Sequence, residues 1–158
     1  MKFHERAARG HGYVFHMARK DTKLDHLANV KLFAACNKKE LGIIGRASDE
    51  ISVSAGKELV GEGSTGHEFF LILEGQAAVK RGGRKVATLG PGQYFGELAL
   101  LDRGSRSATV VAETTMTLLV LGQREFSAVL DEVPGLAHKL LTIMAGRLRE
   151  ADAKALSH

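Results

Sequence analysis

The sequence predicts an α+β domain: an antiparallel β-barrel or jelly roll of about eight strands, preceded by N-terminal helices and closed by two C-terminal helices. Three observations carry this prediction. Short apolar stretches between residues 50 and 121 are separated by turn residues at intervals of about 8–12 positions, the rhythm of small all-β folds. On either side of that region, apolar residues recur at three- and four-residue steps, the period of a helix face. No regular strand–helix alternation occurs between them, which argues against a doubly wound parallel sheet.

A chain of 158 residues suits one domain with short appendages. Its 44% hydrophobic and 25% charged residues are those of a globular protein. No run of roughly 18 apolar residues occurs, so no transmembrane helix is predicted. The single cysteine, Cys36, has no internal disulfide partner, which points to a reducing, cytoplasmic setting. The formal charge of +4 suggests nucleic acid until its distribution is read. Lys2, Arg6, Arg9, Arg19 and Lys20 face only Glu5 within residues 1–20, and the rest of the chain is balanced. The excess therefore belongs to the leader, whereas a DNA-binding fold carries its basic footprint on a folded face.

Residues 1–20 read as a disordered basic leader, with Tyr13-Val14-Phe15 too short for a signal-peptide core. Met17 is an alternative start, because helical periodicity begins just after it. The domain is placed at 21–156. Leu24, Leu27, Ala28, Leu32 and Phe33 define a first amphipathic helix running into a turn. Asn37 and Glu40 have capping-box spacing ahead of Leu41, Ile43 and Ile44, which predicts a second. From Ile51 the period changes to two. Ile51 and Val53 alternate with serines, and Leu59-Val60 follow a turn. Phe69–Leu73 is a continuous apolar run, hence a strand buried on both faces. Arg81-Gly82-Gly83-Arg84 signals a hairpin between Ala77–Val79 and Val86–Leu89. Ala108–Ala112 and Met116–Leu121 supply further strands. A helix opens at 122–125 with Phe126, Val129 and Leu130 inward, and Pro134 starts the last helix. Along it Ala137, Leu141, Met144, Leu148, Ala151 and Ala155 alternate steps of four and three, a short heptad seam suited to a homodimer through 134–156.

Residues 95–110 concentrate the chemistry. A run of about one helical turn from Glu97 offers unpaired N–H groups to an anion, and Gly96 permits close backbone approach. Arg106 can fork onto two phosphate oxygens. Ser107 and Ala108 are small enough to leave their own N–H groups accessible. Glu97, an acceptor when ionised, suits a hydroxyl such as a ribose 2′-OH.

Phe95-Gly96-Glu97-Leu98-Ala99-Leu100-Leu101, joined to Arg106-Ser107-Ala108-Thr109-Val110, resembles the phosphate-binding cassette of the cyclic nucleotide-binding domain family. Gly63–Gly75 resembles that family's glycine-bounded strand motif, and most of 21–156 is similar to a complete domain of this type. The resemblance implies that Arg106 holds the cyclic phosphate and Glu97 the ribose hydroxyl. It makes the N–H groups of Leu98, Ala99, Ser107 and Ala108 candidate phosphate donors. It also puts Val79, Val86 and Leu89 on strands walling the nucleotide, with Ala87 beside them. Ser107 after the arginine matches bacterial cyclic-AMP receptors, so cyclic AMP is the expected ligand and cyclic GMP the alternative. The base-contacting stretch of the final helix corresponds to 149–154, where Asp152 is a candidate acceptor for an exocyclic amine.

No helix-turn-helix follows the final helix within these 158 residues, and no nucleophile–base spacing or metal-ligand cluster is visible. The predicted function is therefore a stand-alone, non-enzymatic sensor. It binds a cyclic nucleotide, needs no cofactor or metal, lacks a DNA-binding domain and signals through its C-terminal helices to an unidentified protein effector. The alternative is a scaffold or interaction module of the same fold.

Overall fold

A computed structural model of the chain describes residues 14–15, 20–96 and 105–156. The strands are β1 (Val14–Phe15), β2 (Asp49–Val53), β3 (Glu58–Val60), β4 (Glu68–Glu74), β5 (Ala77–Arg81), β6 (Arg84–Leu89), β7 (Tyr94–Phe95), β8 (Thr109–Ala112) and β9 (Met116–Gly122). The helices are α1 (Lys20–Ala28), α2 (Lys38–Ala47), α3 (Gln123–Glu132) and α4 (Pro134–Leu156), with a 3-10 turn at Lys31–Phe33. One antiparallel sheet has the order β1-β2-β9-β4-β7 and the other β3-β8-β5-β6. Together they form the jelly-roll sandwich that the strand spacing predicts.

The sequence pattern of β4 and β9 explains the layering. Phe70 and Ile72 on β4, with Met116, Leu118 and Val120 on β9, face the second sheet and meet Val60, Ala77, Val110 and Ala112. Phe69 and Leu71, with Leu119 and Leu121, face the other way and carry the helices. Both faces of these strands are buried, so their apolar runs are continuous rather than alternating. The helical layer docks through Leu27, Leu41, Ile44, Phe126, Val129, Leu136 and Leu140.

The expected capping box is present: the Asn37 side chain accepts from the Glu40 N–H at 2.8 Å, and Glu40 Oε1 accepts from the Asn37 N–H at 2.9 Å. The β5–β6 hairpin closes through Gly82 and Gly83, with Arg81 opposite Arg84.

Two expectations change. The leader is not without structure, since Val14 pairs with Ser52 and Phe15 with Ile51 at the edge of β2. Backbone pairing requires no apolar period, which is why periodicity missed it. Val86 does not stand on the inner wall. Val79 pairs with Ala87 and Lys80 with Lys85, leaving Val86 as the extra residue of a β-bulge, 50% exposed. Met17, and the leader apart from Val14, Phe15 and Lys20, lie outside the described residues.

Candidate functional site

Arg106 is a charged side chain only 5% exposed. Its Nη1 donates to the carbonyl of Gly96 at 2.9 Å and its Nη2 to the carbonyl of Glu68 at 2.8 Å. The backbone is fixed as well: Arg106 N donates to Ser64 O and Gly63 N donates to Arg106 O, both at 2.8 Å. A bridge between Thr65 and Ser105 continues this pairing. The glycine-rich turn before β4 is thus the bracket that positions the arginine. Gly66 belongs to that bracket, because a Cβ there would occupy the space of the Arg106 guanidinium. Gly96 has φ +93°, and a Cβ on it would lie 2.6 Å from Arg106 Nη1 and from Glu68 O. The close approach anticipated at Gly96 is therefore used first by the arginine.

These groups open onto a cavity of about 260 Å³ between the two sheets and the last helix. Gly96, Arg106, Ser107, Ala108, Val79 and Leu89 all line it, and Ala87 stands with them. Val86 does not. Glu97, Leu98 and Ala99 lie outside the described residues. Val60 and Val110 complete the apolar wall. Periodicity would have found both, as inward positions of β3 and β8.

Three polar lining residues were not anticipated either: Tyr94, Arg81 and Arg147. Tyr94 stands on the two-residue strand β7, too short to leave a pattern. Arg147 reaches the cavity from α4, with Cζ 5.9 Å from the Tyr94 ring centroid, within cation–π range. Its signal was its position, four residues after Ile143, on the helix face that carries Leu136, Leu140 and Ile143 into the core. The stretch 149–154 is exposed and lines no part of the cavity, so Asp152 is not at the pocket. Tyr94 in turn packs on Phe69 at 5.6 Å between centroids, and Phe69 stacks on Phe126 of α3 at 4.8 Å. An aromatic chain therefore runs from the cavity wall to the helical layer.

Among the described lining residues three are arginines and none is acidic. The cavity is a concave, largely apolar slot lined by one buried, hydrogen-bonded cation, Arg106, and by two exposed arginines, a setting for an organic body bearing an anionic group. Among the described residues no group of three His, Cys, Asp or Glu side chains is placed to hold a metal ion, and no helix is long and apolar enough to cross a membrane.

The profile described as "Cyclic nucleotide-binding domain" matches residues 50–133. The chain belongs to the cyclic nucleotide-binding domain family. This family domain is 41% identical over 102 residues to the cyclic AMP receptor protein of Thermus thermophilus, covering 61% of this chain and 47% of that protein. The crystal structure of Thermus thermophilus catabolite activator protein superposes with a TM-score of 0.73 at 34% identity, over 78% of this chain and 61% of that one. The regulatory domain of Toxoplasma gondii PKA, crystallised with cAMP, gives a TM-score of 0.71 at 26% identity, over 82% and 50%. The family domain thus spans about half the length of the curated receptor protein it matches.

Proposed function

We propose that the cavity binds a cyclic nucleotide, cyclic AMP in first place, and that the bound state is read by a partner through α3 and α4. The observation that carries this reading is Arg106, a buried cation at the cavity wall whose guanidinium is held by the carbonyls of Gly96 and Glu68. A pre-aimed guanidinium loses little freedom when it forks onto two phosphate oxygens. The N–H groups of Ser107 and Ala108 stand beside it as further donors. Glu97, by its place in the motif, takes the ribose 2′-OH, with Leu98 and Ala99 completing the cradle. Val60, Val79, Ala87, Leu89 and Val110 supply an apolar wall for the base and sugar. Arg147 of α4 and Tyr94 of β7 face the same space, and Arg147 replaces Asp152 as the helix-borne contact to the base. Cyclic AMP is placed first because the relatives include a cyclic AMP receptor protein and a regulatory domain crystallised with cAMP, and a cGMP-dependent protein kinase among them keeps cyclic GMP as the alternative.

Output follows from the aromatic chain. A ligand that moves Tyr94 or Arg147 shifts the packing of Phe69 on Phe126 and the seating of α4. Such a switch requires the ligand to favour one helix position over another. This is a binding and regulatory role, with no chemical step assigned to the chain. Self-association has a specific observation in its favour: the seam residues Leu141 and Leu148 are 64% and 65% exposed, on a helix whose other face is docked.

Melting the protein with cyclic AMP, cyclic GMP or linear AMP tests the proposal. A ligand bound only to the native state adds about 2.7 kcal/mol at a hundredfold excess over Kd. The expected result is a large shift with cyclic AMP, a smaller one with cyclic GMP, little with linear AMP, and none in Arg106→Ala. Absence of a shift with both cyclic nucleotides would sink the reading.

A further inference from the structure

The β5–β6 hairpin supplies Val79, Arg81, Ala87 and Leu89 to the cavity wall, yet little packing holds its tip. β6 is the edge strand of its sheet, carries the bulge at Val86, and is exposed from Arg84 to Thr88. Gly82 and Gly83 turn the tip, and a Cβ on either would meet no atom of the described residues within 4 Å. The flanking side chains work against the turn. Lys80 stands opposite Lys85 and Arg81 opposite Arg84, and like charges across a ladder destabilise it. Glu113 relieves Lys85 at 2.8 Å. The tip itself is held by Glu62, whose Oε1 accepts from the Gly82 N–H at 2.9 Å. Glu62 is anchored in turn: its own N–H donates at 2.9 Å to Oγ1 of Thr109, the residue after Ala108. Its neighbours Gly63 and Ser64 hold the Arg106 backbone from both sides. One turn therefore touches both the hairpin tip and the buried arginine.

We propose that Glu62 is a positioning residue of the nucleotide site: its carboxylate fixes the hairpin tip, and through it Arg81, at a set distance from Arg106. The inference rests on the reading of the cavity given above and extends it to a residue outside the lining. Arg81 immediately precedes Gly82, so the bond that holds the Gly82 N–H also limits where the Arg81 side chain starts. A carboxylate is a strong acceptor for a backbone N–H, and its charge suits a tip flanked by four cations. With the tip released, Arg81 samples more positions and gives up more freedom when it meets a ligand, which lowers affinity without removing any contact.

Titration calorimetry with cyclic AMP on the full chain, on Glu62→Ala, on Arg81→Ala and on the double variant tests this. Each single change should weaken binding about three- to tenfold, the range of one hydrogen bond. In the Arg81→Ala background, Glu62→Ala should cost little more, because the residue it positions is gone. Glu62→Gln keeps an Oε1 acceptor for the Gly82 N–H and should bind within about twofold of the unaltered chain. Equal losses from Glu62→Ala in the two backgrounds would mean a general structural role and overturn the proposal. So would an unchanged affinity in Glu62→Ala or in Arg81→Ala. Hydrogen exchange on the unaltered chain gives a reading that does not depend on any variant folding: the Gly82 amide should be protected, and exchange at the rate of a free amide overturns the proposal. Absence of cyclic AMP binding to the unaltered chain overturns the site reading and this inference together. Binding without coupling between positions 62 and 81 overturns this inference alone.

Discussion

The guanidinium of Arg106 is held against the carbonyl of Gly96, 2.9 Å away, and that carbonyl belongs to a residue with φ +93°. A side chain at position 96 would be strained by its backbone and would press on Glu68 O and Arg106 Nη1 at 2.6 Å. Gly96→Ala is therefore expected to lose about 1–3 kcal/mol of stability, the usual cost of a sparsely populated backbone conformation. Gly66→Ala should behave differently. The nearest atoms its added methyl would meet all belong to the Arg106 guanidinium, the end of a side chain rather than backbone, and displacing it gives up the hydrogen bonds to Gly96 O and Glu68 O. Stability should fall less than in Gly96→Ala, while affinity for cyclic AMP falls at least as far. Urea denaturation and titration calorimetry on both variants separate the two outcomes. Equal stability losses would contradict this division.

Arg147 and Tyr94 tie α4 to the pocket wall across 5.9 Å. A cation over an aromatic ring at this distance contributes about 0.5–1 kcal/mol at partly exposed sites. A double-mutant cycle with Arg147→Ala and Tyr94→Leu should return a coupling energy of that size, read from urea denaturation of the free protein. Both single variants should also weaken cyclic AMP binding, since both residues line the cavity. If the two changes add without coupling, the ring contact is incidental, and the helix is seated by Leu136, Leu140 and Ile143 alone.

The sequence made some of these relationships legible and hid others for physical reasons. Repeating patterns were readable: the two-faced burial of Phe69–Leu73, the Asn37–Glu40 box and the Arg81–Arg84 turn all follow from local rules. Arg106 and Gly96 were readable because their motif is local too. The double hold on Arg106 was not, because one of its acceptors is a carbonyl 38 residues away and any residue has a carbonyl. Val86 was misplaced because a bulge leaves no mark in a short alternating strand. Arg147 was overlooked because one arginine on a helix reads as solvated until the helix is seated. Val14 and Phe15 pair by backbone with β2, a contact that composition does not encode.

Cys36 supplies a pH-dependent expectation. Burial first, and the nearby Glu40 carboxylate second, raise its thiol above the ordinary value of 9.0. The folded protein therefore holds this proton more tightly than the unfolded chain. The sign follows by linkage: the related stability is fully present below pH 9.0 and is lost as pH rises through the higher folded value. Native Cys36 should react with iodoacetamide more slowly at pH 9 than the same residue in urea, because the thiolate is the nucleophile. Glu40→Gln should narrow that difference without removing it, since burial is the larger cause. Glutamine keeps an Oε1 acceptor for the Asn37 N–H, so the capping box is retained and the variant isolates the carboxylate's charge.

The last helix presents two faces with different fates. Leu136 and Leu140 are buried against the core, while Leu141 and Leu148 are largely exposed at steps that keep them in line with Met144. Apolar residues at alternating three- and four-residue steps, as in Leu141, Met144 and Leu148, form the seam of a two-helix contact. The wild-type chain is therefore expected to dimerise. The double variant Leu141→Glu/Leu148→Glu should be monomeric, because like charges facing each other across the seam replace apolar contact. Since neither leucine is in the folded core, the monomer should keep its melting temperature at low concentration, apart from the stability contributed by association. Sedimentation of both proteins over a hundredfold range of concentration reads this directly. A wild type that stays monomeric throughout assigns the exposed stripe to a different partner. A double variant that remains dimeric would place the contact elsewhere on the surface.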